Sequence, residues 1–244
     1  MGPGKSLEVQ EIDIPKLADD EILVKVANCG VCGTDIHASK EGPFMVPLNT
    51  VFGHEFSGEI VELGSEVDEN SFRVGERVTS LPFFKGQNIG LSSVTGAYAE
   101  YLKVIPDQVV KIPDEIDDLN AALVEPLAVG LHAVKMAGNI SQQNILIIGA
   151  GPIGLACATW CKFFGARNIV ISEMSPARID MAKKLGFEQI VDPKDVDNQF
   201  EQIAGGPPDI QVECVGAPGI MQQCIERAPK RGFILGVGLC DPPD

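Results

Sequence analysis

The spacing of hydrophobic positions changes about halfway along the chain. Before residue 118, short runs rich in β-branched residues are separated by glycine and proline, and they read EILVKV, GEIVEL, ERVTSL and YAEYLKVI. Runs bounded in this way are typical of strands in an antiparallel sheet. Residues 1–118 are therefore predicted to form an irregular β domain.

The second half has longer apolar runs that alternate with helical segments. The segment NAALVEPLAVGLHAVKMAG has helical spacing and ends on glycine, a common helix stop. After it come the strand-like runs NILIIGAG, NIVISE, EQIVDP, DIQVECVG and GFILGVG, with helical segments between them. This alternation predicts a parallel sheet covered by helices on both faces. Residues 119–244 are therefore predicted to form an α/β domain.

Composition is that of a soluble globular protein and argues against several classes of partner. The 244 residues are 45% hydrophobic and 22% charged, and no apolar run approaches the roughly 20 residues that a membrane-spanning helix needs. The first residues contain no apolar signal segment. Seven scattered cysteines predict reduced thiols in the cytoplasm. The net charge of −15 disfavours nucleic acid and anionic membranes as partners.

A glycine-rich turn follows the strand-like run NILII. Gly149, Gly151 and Gly154 form G-x-G-x-x-G, with Pro152 and Ile153 inside the motif. The first glycine permits the tight turn, the second lets the backbone approach a pyrophosphate, and the third allows close packing of helix on strand. These five residues are predicted to bind a dinucleotide.

Glu173 ends the next strand, about 20 residues downstream, where a dinucleotide fold places its ribose-binding carboxylate. A carboxylate there favours NAD because it accepts hydrogen bonds from the ribose hydroxyls and repels a 2′-phosphate. The alternative is a solvated residue at the end of a strand. Arg178 is a second candidate for cofactor contact, since a nearby cation can accept the 2′-phosphate of NADP.

The stretch CGVCGTDIH contains two cysteines in C-x-x-C spacing, which serves both zinc binding and thiol chemistry. Further metal-binding residue types lie elsewhere in the chain, with His54 and Glu55 adjacent in GHE and Glu125 in LVEPL. A catalytic zinc uses a few cysteine, histidine or carboxylate ligands and keeps one position open. Cys32, His54 and one of the two glutamates would supply such a site.

The order of the motifs C-G-x-C-x-[ST]-D-x-H, G-H-E-x-x-G-x5-G-x-x-V and G-x-G-x-x-G resembles the zinc-containing medium-chain alcohol dehydrogenases. The segments GHEFSGEIVELGSEV, AALVEPLAVGLHAV and ECVGAPG are most similar to the butane-2,3-diol and polyol (sorbitol-type) branch. The resemblance implies a GroES-like catalytic domain followed by a Rossmann domain. It also implies transfer of hydride between NAD and a secondary alcohol, either a vicinal diol or a polyol, and a full-length form that is a homodimer or homotetramer.

The resemblance implies roles for the metal-binding residues. Cys32 and His54 would bind zinc, whereas Cys29 would not. Glu125 would coordinate zinc directly or through its water, and Glu55 would lie beside it and exchange with it in some relatives. The sequence leaves open which glutamate is the direct ligand.

The resemblance also implies a proton path. Thr34 would hydrogen-bond the oxygen of the alcohol or ketone substrate, and His37 would pass the proton on to solvent. The alternatives are a turn residue for Thr34 and a surface histidine for His37. His132 is expected to be a packed helix residue and not a ligand.

Two departures from the family pattern change the expectations. The segment KGQNIGLSSVTGAYAEY contains no cysteine where many relatives bind a structural zinc through four cysteines, so one catalytic zinc per chain is expected. By comparison with the family, the chain is expected to be incomplete at both ends, with a Rossmann domain that lacks its last strand. Expressed alone, it would then expose GFILGVG as an edge strand prone to aggregation.

Two alternative functions remain. A truncated, non-catalytic remnant or isoform could bind NAD or a partner chain without turnover. The zinc-free quinone reductases of the same superfamily are disfavoured, because Cys32, His54 and Glu125 occur together.

Overall fold

A computed structural model of the chain describes residues 7–39, 49–91 and 95–239. These residues fall into two compact units, Met1–Glu125 and Pro126–Asp244. Residues 92–94, within the segment that lacks the cysteines of a structural zinc site, lie outside the described part. Among the described residues, no helix is both long and apolar enough to cross a membrane.

The first unit contains a five-stranded sheet in the order β6-β1-β2-β3-β7, in which neighbouring strands run antiparallel. A separate hairpin pairs β4 with β5. The strands of the first unit are β1 (Ile22–Cys29), β2 (Phe56–Leu63), β3 (Arg77–Ser80), β4 (Phe83–Phe84), β5 (Gln87–Asn88), β6 (Tyr101–Val104) and β7 (Val109–Lys111). Its helices are α1 (Gly33–Ser39), a 3-10 turn (Pro106–Gln108) and α2 (Asp118–Ala121).

The sheet of the first unit encloses one apolar core. Alternating residues of β1 and β2, among them Ile22, Val24 and Ile60, are fully buried in it. The same pairing sets Cys29, the last residue of β1, opposite Phe56, the first residue of β2. The segments CGVCGTDIH and GHE therefore meet at one end of this strand pair.

Helix α2 explains where the first unit ends. The composition changes near residue 118, but α2 contacts β1 and β2 and so belongs to the first unit. Ser57 donates a hydrogen bond to the carbonyl of Asp118 at 2.6 Å, and Arg77 forms an ion pair with the Asp118 side chain at 2.8 Å. The division between the units consequently falls after Glu125.

The second unit is a parallel sheet in the order β10-β9-β8-β11-β12. Counted from β8, this is the order 3-2-1-4-5 of a dinucleotide-binding fold. Its strands are β8 (Asn144–Ile148), β9 (Asn168–Ser172), β10 (Ile190–Val191), β11 (Ile210–Glu213) and β12 (Phe233–Gly236). Its helices are α3 (Val124–Met136), which starts at the end of the first unit, α4 (Pro152–Phe163), α5 (Pro176–Lys184), a 3-10 turn (Pro193–Asp195), α6 (Val196–Ala204) and α7 (Ile220–Arg227).

The central strand β8 is buried on both faces. Ile145 and Ile147 pack into one core cluster with residues of α4, whereas Leu146 and Ile148 pack into a second cluster with Phe200 of α6. An apolar run without polar alternation is what a doubly covered parallel strand requires. The predicted order, an irregular β domain followed by an α/β domain, is confirmed.

Candidate functional site

The first cysteine motif forms a tight turn at the start of α1. Asp35, which is 1% exposed, accepts a hydrogen bond from the backbone N–H of Cys32 at 3.0 Å through Oδ2. The Cys32 Sγ lies 3.4 Å from both the backbone nitrogen and Oγ1 of Thr34. The turn therefore places a thiol and a hydroxyl side by side.

The second motif brings two further candidate ligands to this thiol. His54 and Glu55 precede β2 and are 6% and 8% exposed. One ligand atom each from Cys32, His54 and Glu55 lies within 4.8 Å of the other two. Sulfur, imidazole nitrogen and carboxylate oxygen are the ligand types that zinc prefers. These three side chains form the candidate metal centre.

Asp35 also faces His54. The Asp35 Oδ1 lies 3.7 Å from the His54 Nδ1, and within the described part of the chain neither atom has a hydrogen-bond partner although both are buried. A histidine that binds metal usually donates its other ring N–H to a carboxylate. The unpaired Oδ1 and Nδ1 are consistent with the His54 tautomer that carries its proton on Nδ1 and leaves Nε2 free to bind a metal.

The electrostatics of the candidate metal centre also fit a cation. Burial raises the pKa of the Cys32 thiol and of the Glu55 carboxyl. Burial, and after it the charge of Glu55, raises the pKa of Glu125 to about 7. Burial lowers the pKa of His54, against the opposing effect of Asp35. A bound cation would favour the ionised thiolate and carboxylates that this environment otherwise disfavours.

The other residues implied for this site differ in burial and in the element that carries them. Glu125 is half-buried near the start of α3 and is not one of the three side chains of the candidate metal centre. Thr34 is half-buried beside Cys32, and His37 is exposed in the last turn of α1. The Cys29 Sγ contacts the carbonyl of Gly30 at 3.4 Å. His132 is exposed, so the expectation of a packed helix residue was wrong.

In the second unit, the glycine-rich turn has the geometry that the motif predicts. Gly149 adopts a φ of +97°, which disfavours residues with a side chain. A Cβ on Gly154 would lie 2.0 Å from the carbonyl oxygen of Gly149, whereas a Cβ on Gly151 would meet no heavy atom within 4 Å. Helix α4 starts at Pro152, so its free backbone N–H groups follow the turn directly. This arrangement suits an anionic group such as pyrophosphate.

Glu173 is buried next to this turn and is not a solvated residue at the strand end. Its Oε2 accepts the backbone N–H of Ala150 at 2.9 Å, and its Oε1 accepts those of Met174 and Ser175 at 2.8 Å each. Although burial raises its pKa, these hydrogen bonds and the nearby Arg178 hold the pKa of Glu173 below its usual value. The Arg178 guanidinium is 3.7 Å from the carboxylate.

Two residues of the first unit to which the sequence analysis gave no role also contact the site. Asp35 contacts the backbone of Cys32 and faces His54, as described above. Tyr98 donates a hydrogen bond to the Asp35 Oδ2 at 2.8 Å. Asp35 could have been found from its place between Thr34 and His37, whereas Tyr98 lies far from both motifs in the sequence.

Two family models and several known proteins match this chain. Residues 18–114 match the alcohol dehydrogenase GroES-like domain, and residues 152–244 match the zinc-binding dehydrogenase domain. The chain is 34% identical to the (R,R)-butanediol dehydrogenase of Bacillus subtilis (strain 168), covering 96% of this chain and 75% of that protein. It is 31% identical to the sorbitol dehydrogenase of Ovis aries, covering 98% of this chain and 73% of that protein.

Solved structures agree with the sequence comparisons. The 2R,3R-butanediol dehydrogenase of Bacillus subtilis superposes with a TM-score of 0.82 at 33% identity, over 93% of this chain and 72% of that chain. A second match is a Sinorhizobium meliloti 1021 protein described as a zinc-binding dehydrogenase bound to NADP. It superposes with a TM-score of 0.85 at 31% identity, over 96% of this chain and 73% of that chain. The resemblance predicted from the sequence motifs is confirmed, and the chain belongs to the zinc-containing medium-chain alcohol dehydrogenase family.

Proposed function

We propose that this chain is a zinc-dependent oxidoreductase that transfers hydride between NAD and a secondary alcohol, with a vicinal diol or a polyol as the substrate class. The observation that carries the proposal is the convergence of Cys32, His54 and Glu55 within 4.8 Å, next to the Thr34 hydroxyl. The relatives named as butanediol and sorbitol dehydrogenases support the substrate class.

Cys32, His54 and either Glu55 or Glu125 would hold one zinc ion. Bound there, zinc supplies Lewis acidity that lowers the pKa of an alcohol oxygen. The thiolate of Cys32 would be the strongest ligand, because sulfur is the softest donor in the set. Asp35, whose Oδ1 lies 3.7 Å from the His54 Nδ1, would orient the ring by accepting the proton of that nitrogen. Burial raises the pKa of both glutamates, and a bound cation would stabilise their ionised forms, whose negative charge would balance its own.

Thr34 and His37 are proposed to move the proton of the reacting hydroxyl. The Thr34 Oγ1, 3.4 Å from the Cys32 Sγ, is close enough to the candidate metal centre to hydrogen-bond an alcohol oxygen held there. His37 is exposed in the last turn of α1, where its side chain is open to solvent. Thr34 therefore serves the buried end of the path and His37 its solvent end.

Removal of the Thr34 hydroxyl is expected to slow turnover without loss of metal. Thr34→Ala should lower kcat/KM by about tenfold to a hundredfold, the equivalent of one hydrogen bond to a charged group at roughly 1.5–3 kcal/mol. Thr34→Ser keeps the hydroxyl and should stay close to the unsubstituted rate. Steady-state kinetics with zinc analysis of all three proteins checks this, and equal rates for the alanine and serine variants would contradict it.

NAD is proposed to bind over the start of α4, with its pyrophosphate at the turn formed by Gly149, Gly151 and Gly154. Glu173 is proposed to accept a hydrogen bond from the adenosine ribose. A carboxylate offers about four acceptor positions, and backbone N–H groups already occupy three of them. One position therefore remains for a ribose hydroxyl, while the negative charge opposes a 2′-phosphate.

The protein is expected to prefer NAD to NADP, and Glu173 is expected to set that preference. Glu173→Gln replaces one acceptor oxygen by an NH2 donor, which cannot accept the backbone N–H that this oxygen binds. It should therefore weaken NAD binding by at least one charge-assisted hydrogen bond, about 1.5–3 kcal/mol, and should improve the relative use of NADP. Arg178→Ala is the comparison, because this exposed cation can contact a 2′-phosphate directly, whereas it would affect NAD only through the Glu173 carboxylate 3.7 Å away; NADP use should fall more than NAD use. The measurement is kcat/KM with NAD and with NADP for each protein. Equal or better use of NADP by the unsubstituted protein would refute the proposed preference for NAD.

A substrate screen tests the proposed function. NADH formation is followed with butane-2,3-diol, sorbitol, xylitol, threonine and ethanol at matched concentrations. A vicinal diol or polyol should give the highest kcat/KM. A clear preference for ethanol would refute the substrate class, and no turnover with any alcohol by zinc-loaded protein would refute the enzyme function.

A further inference from the structure

The Tyr98 hydroxyl fixes the buried carboxylate that lies between two proposed zinc ligands. It donates to the Asp35 Oδ2 at 2.8 Å, with the carbonyl oxygen of Gly30 at 3.2 Å as a second acceptor within reach. The same Oδ2 accepts the backbone N–H of Cys32 at 3.0 Å. Two donors thus hold Oδ2, and rotation of the carboxylate is restricted. The other oxygen, Oδ1, is left pointing at the His54 Nδ1, 3.7 Å away.

The ring and backbone of Tyr98 hold the residue that precedes His54. The Tyr98 N–H donates to the carbonyl of Phe52 at 2.8 Å, and the Ala97 N–H donates to the carbonyl of Gly53 at 2.8 Å. A Cβ on Gly53 would lie 2.5 Å from the Tyr98 Cδ1, so the ring lies directly on the Gly53 backbone. Gly53 adopts a φ of +89°, a conformation that glycine tolerates. Tyr98 therefore contacts both the carboxylate that faces His54 and the turn that carries His54.

We propose that Tyr98 is a positioning residue for metal binding, acting through Asp35. Its hydroxyl locks the Asp35 carboxylate so that Oδ1 can accept the proton on the His54 Nδ1, and this tautomer leaves Nε2 for the metal. The proposal rests on the proposed zinc-dependent function. Its physical basis is that a carboxylate partner orients a metal-binding histidine and raises the basicity of the ring.

The test removes the hydroxyl and keeps the ring. In Tyr98→Phe the aromatic ring still covers Gly53, but the Asp35 Oδ2 loses one of its two donors. The zinc dissociation constant should rise roughly tenfold, the low end of the range for partners outside the ligand shell. The visible absorption of the cobalt-substituted protein should also change, because it reports ligand geometry. Tyr101→Phe is the matched control, since the described residues offer the Tyr101 hydroxyl no hydrogen-bond partner.

A second substitution shows whether the hydroxyl acts through Asp35. In an Asp35→Ala background, which removes the acceptor of the Tyr98 hydroxyl, Tyr98→Phe should change zinc affinity by less than about twofold, because coupled residues are not additive. A tenfold loss that persists in that background would overturn the route through Asp35. If Asp35→Ala does not fold, the zinc affinity and cobalt spectrum of Tyr98→Phe alone decide whether the Tyr98 hydroxyl positions the metal ligands.

The result also separates this inference from the proposed function. Tyr98→Phe could leave the zinc affinity and the cobalt spectrum unchanged and lower only the unfolding temperature of the metal-free protein. That result would show a structural role for Tyr98 and overturn the inference. The unsubstituted protein would then still bind zinc and turn over its alcohol. Failure of the unsubstituted protein to bind zinc would instead refute the proposed function, and the inference with it.

Discussion

Cys32→Ser is expected to purify without stoichiometric zinc and to lose about a thousandfold or more in kcat/KM. The Cys32 Sγ is the only sulfur among the three side chains of the candidate metal centre, and a hydroxyl is a much poorer zinc ligand than a thiolate. Loss of the ion removes several kcal/mol of stabilisation from the developing alkoxide, and each 1.36 kcal/mol is a factor of ten in rate.

Cys29→Ser is the matched control for this substitution. Cys29 lies in the same motif, but its Sγ contacts the carbonyl of Gly30, and it is not part of the candidate metal centre. It should therefore keep its zinc and most of its activity. Elemental analysis and steady-state kinetics compare the two variants. Loss of zinc in Cys29→Ser with retention in Cys32→Ser would reverse the proposed assignment of the ligands.

The second large effect is expected at the glycine-rich turn, where alanine substitutions at Gly154 and Gly151 should weaken NAD binding for different reasons. Gly154→Ala places a Cβ 2.0 Å from the carbonyl oxygen of Gly149, so the start of α4 must shift away from β8. Overpacking of this kind costs about 3 kcal/mol of folding free energy. Because the turn itself is displaced, NAD binding should weaken by about a hundredfold or more, equivalent to roughly 2.8 kcal/mol.

Gly151→Ala should leave the fold intact and still weaken NAD binding. A Cβ there meets no heavy atom within 4 Å, and the φ of −69° at Gly151 suits any residue. The methyl group would instead occupy the space where the backbone approaches the pyrophosphate. We expect an unchanged unfolding temperature and NAD binding at least about tenfold weaker, equivalent to roughly 1.4 kcal/mol.

Thermal unfolding and fluorescence titration with NAD measure both glycine variants. The expected pattern is a lower unfolding temperature in Gly154→Ala alone and weaker NAD binding in both. Normal NAD affinity in Gly151→Ala would show that the dinucleotide does not approach this turn. An unfolding temperature unchanged in Gly154→Ala would show that the turn relaxes without cost.

The fold was largely predictable because each unit has a regular hydrophobic pattern. The run NILII has no polar alternation, and in the structure β8 is buried on both faces. The boundary between the units was harder to place, because it depends on the contacts of α2 with β1 and β2. Those contacts join residues far apart in the sequence, and the local composition does not report them.

The candidate site was predictable where the residue type itself is a common metal ligand. Cys32, His54 and Glu55 are typical zinc ligands, and the pairing of β1 with β2 brings their segments together. Tyr98 was missed because a tyrosine in a loop has no local signal for a hydrogen bond to a distant aspartate. Similarly, the sequence predicted a ribose-binding role for Glu173, which stays a prediction, but not that three backbone N–H groups bind its carboxylate.

The most direct test of the account is a zinc titration of metal-depleted protein, with NADH formation from a vicinal diol as the readout. The described residues bring together one group of candidate zinc ligands. The rate should therefore rise in proportion to added zinc and reach its plateau at about one zinc per chain. A rate that does not depend on zinc, or a plateau at about two zinc ions per chain, would contradict the single catalytic zinc site.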